Sequence, residues 1–195
     1  MKIFATSDQH FYHKNIIKYA NRPFSVDDDG IVDCAKTIIK KYNEVVSDGD
    51  IVLFLGDITA SLRGRDDHFK QLLSLLKGRK VLVRGNHDHL SDEFFYNAGF
   101  ELVVDYIKVD EYFLSHYPCY KSRWTCNVEK GHIEIMHGDC NFVIHGHIHN
   151  KNPNDWDPDG IERINVCVDY QPNDFYPVEL KIDKIKDHLS ELLKN

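Results

Sequence analysis

Histidine, aspartate and asparagine gather just past the ends of short apolar runs in this chain. "KIFATS" (2–7) leads into Asp8 and His10. "IVLFL" (51–55) leads into Gly56 and Asp57, and "KVLVR" (80–84) into Gly85, Asn86, His87 and Asp88. "EYFLSH" (111–116) ends in His116, and "NFVIH" (141–145) runs on into Gly146, His147 and His149. Imidazoles and carboxylates with one carboxamide and no thiolate suit Mn, Fe, Zn or Ni better than Ca or a structural cysteine–zinc site. The set is large enough for two ions. Two ions bridged by a carboxylate suit in-line attack on a phosphorus ester, where one lowers the pKa of a bound water and both neutralise charge.

The elements that must position these residues read as follows. Residues 51–55 and 80–84 are continuous apolar runs of the kind buried on both faces of a sheet. Helical spacing covers 13–20 and 30–46, the second with Ile31, Cys34, Ala35, Ile38, Ile39 and Tyr42 on one face and Asp27, Asp28 and Asp29 at its N-terminus. Residues 66–78 read as a helix closed by Gly78, and 91–99 as a helix capped by Ser91 and stopped by Gly99. Beyond this point strands dominate: 100–109 and 111–116 as a hairpin or meander, then 141–145, 162–169 and 176–182. A last amphipathic helix spans 183–194, with Ile185, Leu189, Leu192 and Leu193 inward. Two polar insertions, 117–140 and 150–160, interrupt the second half. In an α/β sheet, ligands bind beyond the carboxyl ends of the strands, so one rim would collect the whole polar set.

The chain has 195 residues, 42% hydrophobic and 28% charged, with a net charge of −7. That fits one domain, 1–195, with a substantial core. The acidity speaks against broad duplex binding, which needs a basic face. No run reaches the roughly 18 apolar residues of a membrane helix, and the N-terminus turns polar too early for a signal peptide. A cytoplasmic location is expected. Five cysteines at irregular spacing fit reduced thiols rather than a disulfide framework. Twelve histidines are the unusual count.

The blocks Asp-x-His, Gly-Asp, Gly-Asn-His-Asp, a lone His and Gly-His-x-His, in this order over residues 8 to 149, resemble the calcineurin-like metallophosphoesterase family. The resemblance implies an α/β fold, a two-sheet mixed sandwich flanked by helices, which agrees with the mixed strand reading. It implies two divalent transition metal ions, with Mn2+ favoured. Asp8, His10 and His149 would hold the first ion, Asn86, His116 and His147 the second, and Asp57 both. A bridging water or hydroxide would be the nucleophile. His87 would contact phosphate and protonate the leaving group, and Asp88 would orient His87. The implied activity is hydrolysis of a phosphate ester, preferentially a phosphodiester in a small phosphate ester or nucleotide, with nucleic-acid ends also in range. The alternatives are a phosphomonoesterase on a small phosphorylated substrate and a non-catalytic metal-binding scaffold.

Other residues carry two readings each. His145 alternates with His147 and His149, so strand geometry would turn all three to one side. A core or supporting role is preferred there over ligation. His13 reads as a surface helix-start residue or as lining for the cleft. Lys121 and Arg123, with Trp124, could bind substrate phosphate and stack a base, or form a solvated loop. Trp156 in "NDWDPDG" offers the same choice. His132, His137, Cys119, Cys126 and Cys140 match no tight zinc knuckle, and the cysteines read as small apolar residues. Asp169 reads as a support for the ligand loops.

Overall fold

The computed structural model describes residues 1–60, 62, 64–119, 125–128, 131–134, 140–152, 160–170 and 172–194, with 125–128 and 131–134 as backbone alone. The elements run β1 (Ile3–Thr6), α1 (Lys14–Tyr19), α2 (Asp28–Val45), β2 (Ile51–Phe54), α3 (Asp66–Ser74), β3 (Arg79–Val83), α4 (Asp92–Asn97), β4 (Phe100–Val104), β5 (Ile107–Val109), β6 (Tyr112–Leu114), β7 (Thr125–Val128), β8 (Gly131–Glu134), β9 (Phe142–His145), β10 (Glu162–Asn165), β11 (Val178–Glu179) and α5 (Asp183–Leu192).

Two mixed sheets result. The first has the order β11-β1-β2-β3-β4, and the second β10-β9-β6-β5. In the first, β1 to β4 are parallel and β11 is antiparallel to β1. In the second, β10, β9 and β6 are parallel and β5 closes the edge antiparallel. Alternation along the central strands separates two cores. Phe4, Val52, Phe54 and Leu82 face the helices, with Cys34, Ile38, Tyr42, Phe69 and Phe95. Ile3, Ala5, Ile51, Leu53, Val81 and Val83 face the second sheet, with Ile107, Leu114, Ile144 and Val166. Period-2 geometry sends consecutive side chains to opposite faces, so runs apolar at every position are buried on both.

Several expectations meet their limits here. The 100–109 run is two strands in different sheets, because exposed Asp105 and Tyr106 break it and the chain crosses over. The hairpin is β5–β6. The insertion at 117–140 contains the β7–β8 hairpin. Leu192, expected inward, is 43% exposed at the end of α5, whereas Ile185 and Leu189 are fully buried. Cys34 and Cys167 carry free thiols, but Cys119 is disulfide-bonded. Spatial approach rather than sequence spacing decides such a bond, and it corrects the expectation of reduced thiols throughout. Among the described residues no helix is long and apolar enough to cross a membrane.

Parallel pairing fixes the direction of the strand ends. Leu55 N–H donates to the Thr6 carbonyl at 2.8 Å, and Ser7 N–H donates to the Val166 carbonyl at 3.1 Å. Ser7 and Cys167 form an isolated parallel bridge. The carboxyl ends of strands from both sheets therefore meet at one rim.

A candidate dinuclear metal site

The polar residues past these strand ends converge. Five of them, Asp8, His10, Asp57, His147 and His149, have positive φ, between 50° and 70°. Residues other than glycine rarely adopt that region, and such conformations cluster where function demands them. The turns also require glycine. A Cβ on Gly85 would stand 2.3 Å from Asp57 Oδ1, and one on Gly146 would stand 2.4 Å from Asp8 Oδ2. Main chain must pass that close for the carboxylates to sit where they do.

Two groups of ligand atoms form, Asp8 with His10 and His149, and Asp57 with His116 and His147. In the first group, Asp8 Oδ1 lies 3.8 Å from His10 Nε2 and 3.9 Å from His149 Nε2. In the second, His116 Nε2 lies 3.1 Å from Asn86 Oδ1 and 3.2 Å from His147 Nδ1. One oxygen joins them. Asp57 Oδ2 stands 3.7 Å from His10 Nε2 and 3.4 Å from His116 Nε2.

These donors suit divalent ions, the second group at 3.1–3.4 Å spacing and the first, wider, at 3.8–3.9 Å. At metal–ligand distances of about 2.0–2.2 Å, neighbouring ligand atoms stand roughly 3 Å or slightly more apart. Asp8 Oδ1 and His10 Nε2 are buried without a hydrogen-bond partner. An orphaned buried carboxylate oxygen is costly unless something positive compensates it.

A shell of further contacts orients these candidate ligands. His149 Nδ1–H donates to Asp169 Oδ2 at 2.7 Å. Arg22 holds that carboxylate through Nε at 2.7 Å and Nη2 at 3.0 Å. The same guanidinium donates to the carbonyls of Asp8 at 2.7 Å and Gln9 at 2.9 Å. Asp8 Oδ2 accepts from the His147 amide at 2.9 Å and the Cys167 thiol at 3.0 Å. His116 Nδ1–H donates to the Leu55 carbonyl at 2.8 Å, which fixes its tautomer and leaves Nε2 for the site. Asp57 Oδ1 accepts from the His87 amide at 2.8 Å.

Charges follow from this crowding. Burial opposes protonation of His116, but Asp57 and then Asp8 outweigh it and push His116 up to about 9. Burial would raise Asp8 and Asp57, yet the neighbouring histidines hold both below the usual carboxylate range. Burial drives His10 well below the ordinary histidine value. A protonated His116 thus supplies some of the positive charge that the carboxylates demand.

Every expected ligand lies at this rim. The His87 ring stands 5.4 Å from that of His10, centroid to centroid. Asp88 departs from expectation. Its carboxylate accepts from the amides of Asp57 at 2.7 Å, Gly85 at 2.8 Å and Ile58 at 3.1 Å, not from the His87 ring. The tight turn after β3 folds Asp88 back beneath the ends of β2 and β3, where those donors converge. Burial and the charge of Asp57 push it up to about 6. His145 is in neither ligand group. It is fully buried, its Nδ1 bonds the Gly146 carbonyl at 2.8 Å, and burial drives it down to about 4.

His13 is half-buried, with Nδ1 3.4 Å from His10 Nδ1. Lys121, Arg123, Trp124, His137 and Trp156 lie outside the described residues, as do the side chains of Cys126 and His132. Arg22 was missed. Its one sequence signal is "NRPF", a lone cation between two helices that leads into proline.

Residues 1–166 match the model of the calcineurin-like phosphoesterase superfamily domain. An uncharacterised protein of Methanocaldococcus jannaschii is 35% identical over 181 residues, covering 93% of this chain and 88% of its own length. The gene 66 protein of Mycobacterium phage L5 is 34% identical over 83 residues, 43% of this chain and 38% of its own. The crystal structure of a protein of unknown function from Aquifex aeolicus is similar, with a TM-score of 0.62 and 26% identity. That likeness covers 96% of this chain and 98% of the other.

Proposed function

The chain belongs to the calcineurin-like phosphoesterase superfamily, and on that premise we propose that it is a dinuclear metal-dependent phosphodiesterase. The observation that carries this reading is Asp57 Oδ2, 3.7 Å from His10 Nε2 and 3.4 Å from His116 Nε2. One carboxylate oxygen within reach of both groups is what a bridged pair of ions requires. Asp8, His10 and His149 would hold one ion, Asn86, His116 and His147 the other, and Asp57 both. Mn2+ is the favoured metal, and Fe, Zn and Ni accept the same donors. When bound, two such ions supply a water nucleophile at neutral pH and neutralise charge growing on the phosphoryl group.

The chain's own residues do the rest. Asp57, in the turn after β2, is held through its other oxygen by the amide of His87, in the turn after β3, so the bridge and the acid are tied together. His87, half-buried beside His10, delivers a proton to the leaving oxygen as the phosphorus–oxygen bond breaks. Asp88 joins the two turns by accepting from the amides of Asp57, Ile58 and Gly85.

One feature favours a diester. The guanidinium behind the site, Arg22, is engaged by Asp169 and two carbonyls. A doubly charged monoester gains no bidentate clamp from it.

The test is hydrolysis of an aryl phosphodiester and an aryl phosphomonoester, side by side, by protein stripped with chelator and reloaded with Mn2+. Metal-restored turnover of the diester well above the monoester supports the reading. Preference for the monoester overturns it in favour of a phosphatase. No turnover of either with two ions bound favours the non-catalytic scaffold.

A further inference from the structure

A line of aromatic rings leaves the site along α1. His13 is the N-cap residue of that helix, yet its side chain makes no capping bond. Its ring turns instead toward the rim, with its centroid 5.2 Å from His10 and 6.3 Å from His87. On its other side the ring of Tyr19 lies 6.3 Å away at 72°. Tyr19 is 72% exposed, more than any other large hydrophobic side chain among the described residues. Ile16, Ile17 and Ala20 on the opposite face are buried against Phe24 and Ile31. The helix is therefore fixed, and Tyr19 stands on a rigid support.

The outward face also carries Lys14 and Lys18, both exposed, with Lys14 3.7 Å from Asp28. Asp28 offsets Lys14, so on a chain of net charge −7 it is Lys18, on the same short helix as the exposed ring, that adds a local attraction for an anion with an aromatic group. The Nδ1 atoms of His13 and His10 face each other at 3.4 Å. If His10 is a ligand through Nε2, its Nδ1 carries hydrogen. His13 Nδ1 is then the acceptor, and the His13 hydrogen sits on Nε2 as a donor.

We propose that His13 and Tyr19 form a nucleoside-binding shelf. The phosphodiester lies among the carboxylates and imidazoles, the nucleobase stacks on Tyr19, and His13 meets the sugar–phosphate between them. Every base has a π face, so such a platform reads nucleosides without selecting among bases. The inference rests on the phosphodiesterase reading and adds the identity of one ester arm.

Thymidine 5′-(p-nitrophenyl) phosphate and ethyl p-nitrophenyl phosphate share a leaving group and differ in that arm. With Mn2+-loaded protein, the nucleoside ester has a kcat/KM about tenfold higher, in line with one stacked base. Tyr19→Ala brings the ratio of the two close to one, mainly through KM, and Tyr19→Trp keeps it. An unchanged ratio in Tyr19→Ala overturns the shelf and leaves Tyr19 as a surface for another macromolecule. If the wild type hydrolyses neither ester, the phosphodiesterase reading fails separately. The shelf is then judged by fluorescence anisotropy with 5′-fluorescein-labelled tetrathymidylate. Binding that weakens about tenfold in Tyr19→Ala and survives in Tyr19→Trp sustains it, and equal or absent binding overturns it.

Discussion

Arg22 and Asp169 form a buried, two-pronged ion pair, with Nε at 2.7 Å and Nη2 at 3.0 Å, and Asp169 passes its orientation on to His149. The two residues are 147 positions apart in sequence. Through the carbonyls of Asp8 and Gln9, the same guanidinium also sets the loop after β1. One side chain thus supports two candidate ligands, Asp8 and His149, from distant parts of the chain. Removing one partner of such a pair leaves a buried charge uncompensated, at about 3–5 kcal/mol.

Arg22→Ala is expected to lower the unfolding midpoint by an amount consistent with that loss, read by denaturant titration. Asp169→Asn keeps the shape and removes the charge that holds His149. It is expected to weaken Mn2+ binding by roughly 10–100-fold, the usual effect of losing a partner behind a ligand. Calorimetry should find one of two binding steps weakened. Equal weakening of both would assign Asp169 to general stability.

Gly146 makes a sharper test of geometry. A Cβ there would stand 2.4 Å from both Asp8 Oδ2 and Ser7 Oγ. Gly146→Ala must push Asp8 out of place while leaving both cores untouched. The expected outcome is a folded protein, by circular dichroism, whose Mn2+ affinity falls at least tenfold. Wild-type affinity would mean that Asp8 is not a ligand.

The pKa of His116, raised to about 9, has two consequences. An ion at Nε2 must displace the proton, so binding at pH 7.5 should release about one proton. That is measured by calorimetry in buffers of different ionisation enthalpy. Affinity should rise with pH until about 9 and then level. In chelator-treated protein the protonated histidine stabilises the fold. A pKa raised on folding gives stability fully present below the unfolded value, about 6.5. That stability is lost as pH rises through about 9, so the metal-free melting temperature should fall between pH 7 and 10. A flat profile would contradict the ion pair with Asp57.

The candidate ligands were legible in the sequence because each follows a run of apolar residues, and strand ends in parallel sheets share a rim. Asp57 after "IVLFL" and Asn86 after "KVLVR" needed no structure to be noticed. The support behind them did not show. Arg22 lies in a loop with no periodic signal, and only the approach of residues 22 and 169 reveals its task. The family resemblance implied that Asp88 orients its neighbour His87. The turn instead carries its carboxylate to three main-chain amides, a hydrogen-bonding demand that no side-chain pattern records. The crossover at Asp105 was obscured because β4 and β5 have the same strand texture, which does not record the sheet each one joins.

Replacing His87 would separate metal binding from the proposed acid step. Its main-chain amide holds Asp57 Oδ1, and that bond survives replacement of the ring. His87→Ala should therefore bind metal with wild-type stoichiometry. General acids contribute about 10²–10⁴-fold when the leaving group needs a proton. A dialkyl or dinucleotide diester should lose rate by that order. A p-nitrophenyl diester, whose leaving group departs as a stable anion, should lose far less. Parallel kcat measurements on the two substrates read the difference directly. If both fall by the same factor, His87 acts by contacting the phosphate. If neither falls, the proton comes from elsewhere and His13, 6.3 Å from His87 between ring centroids, becomes the next imidazole to replace.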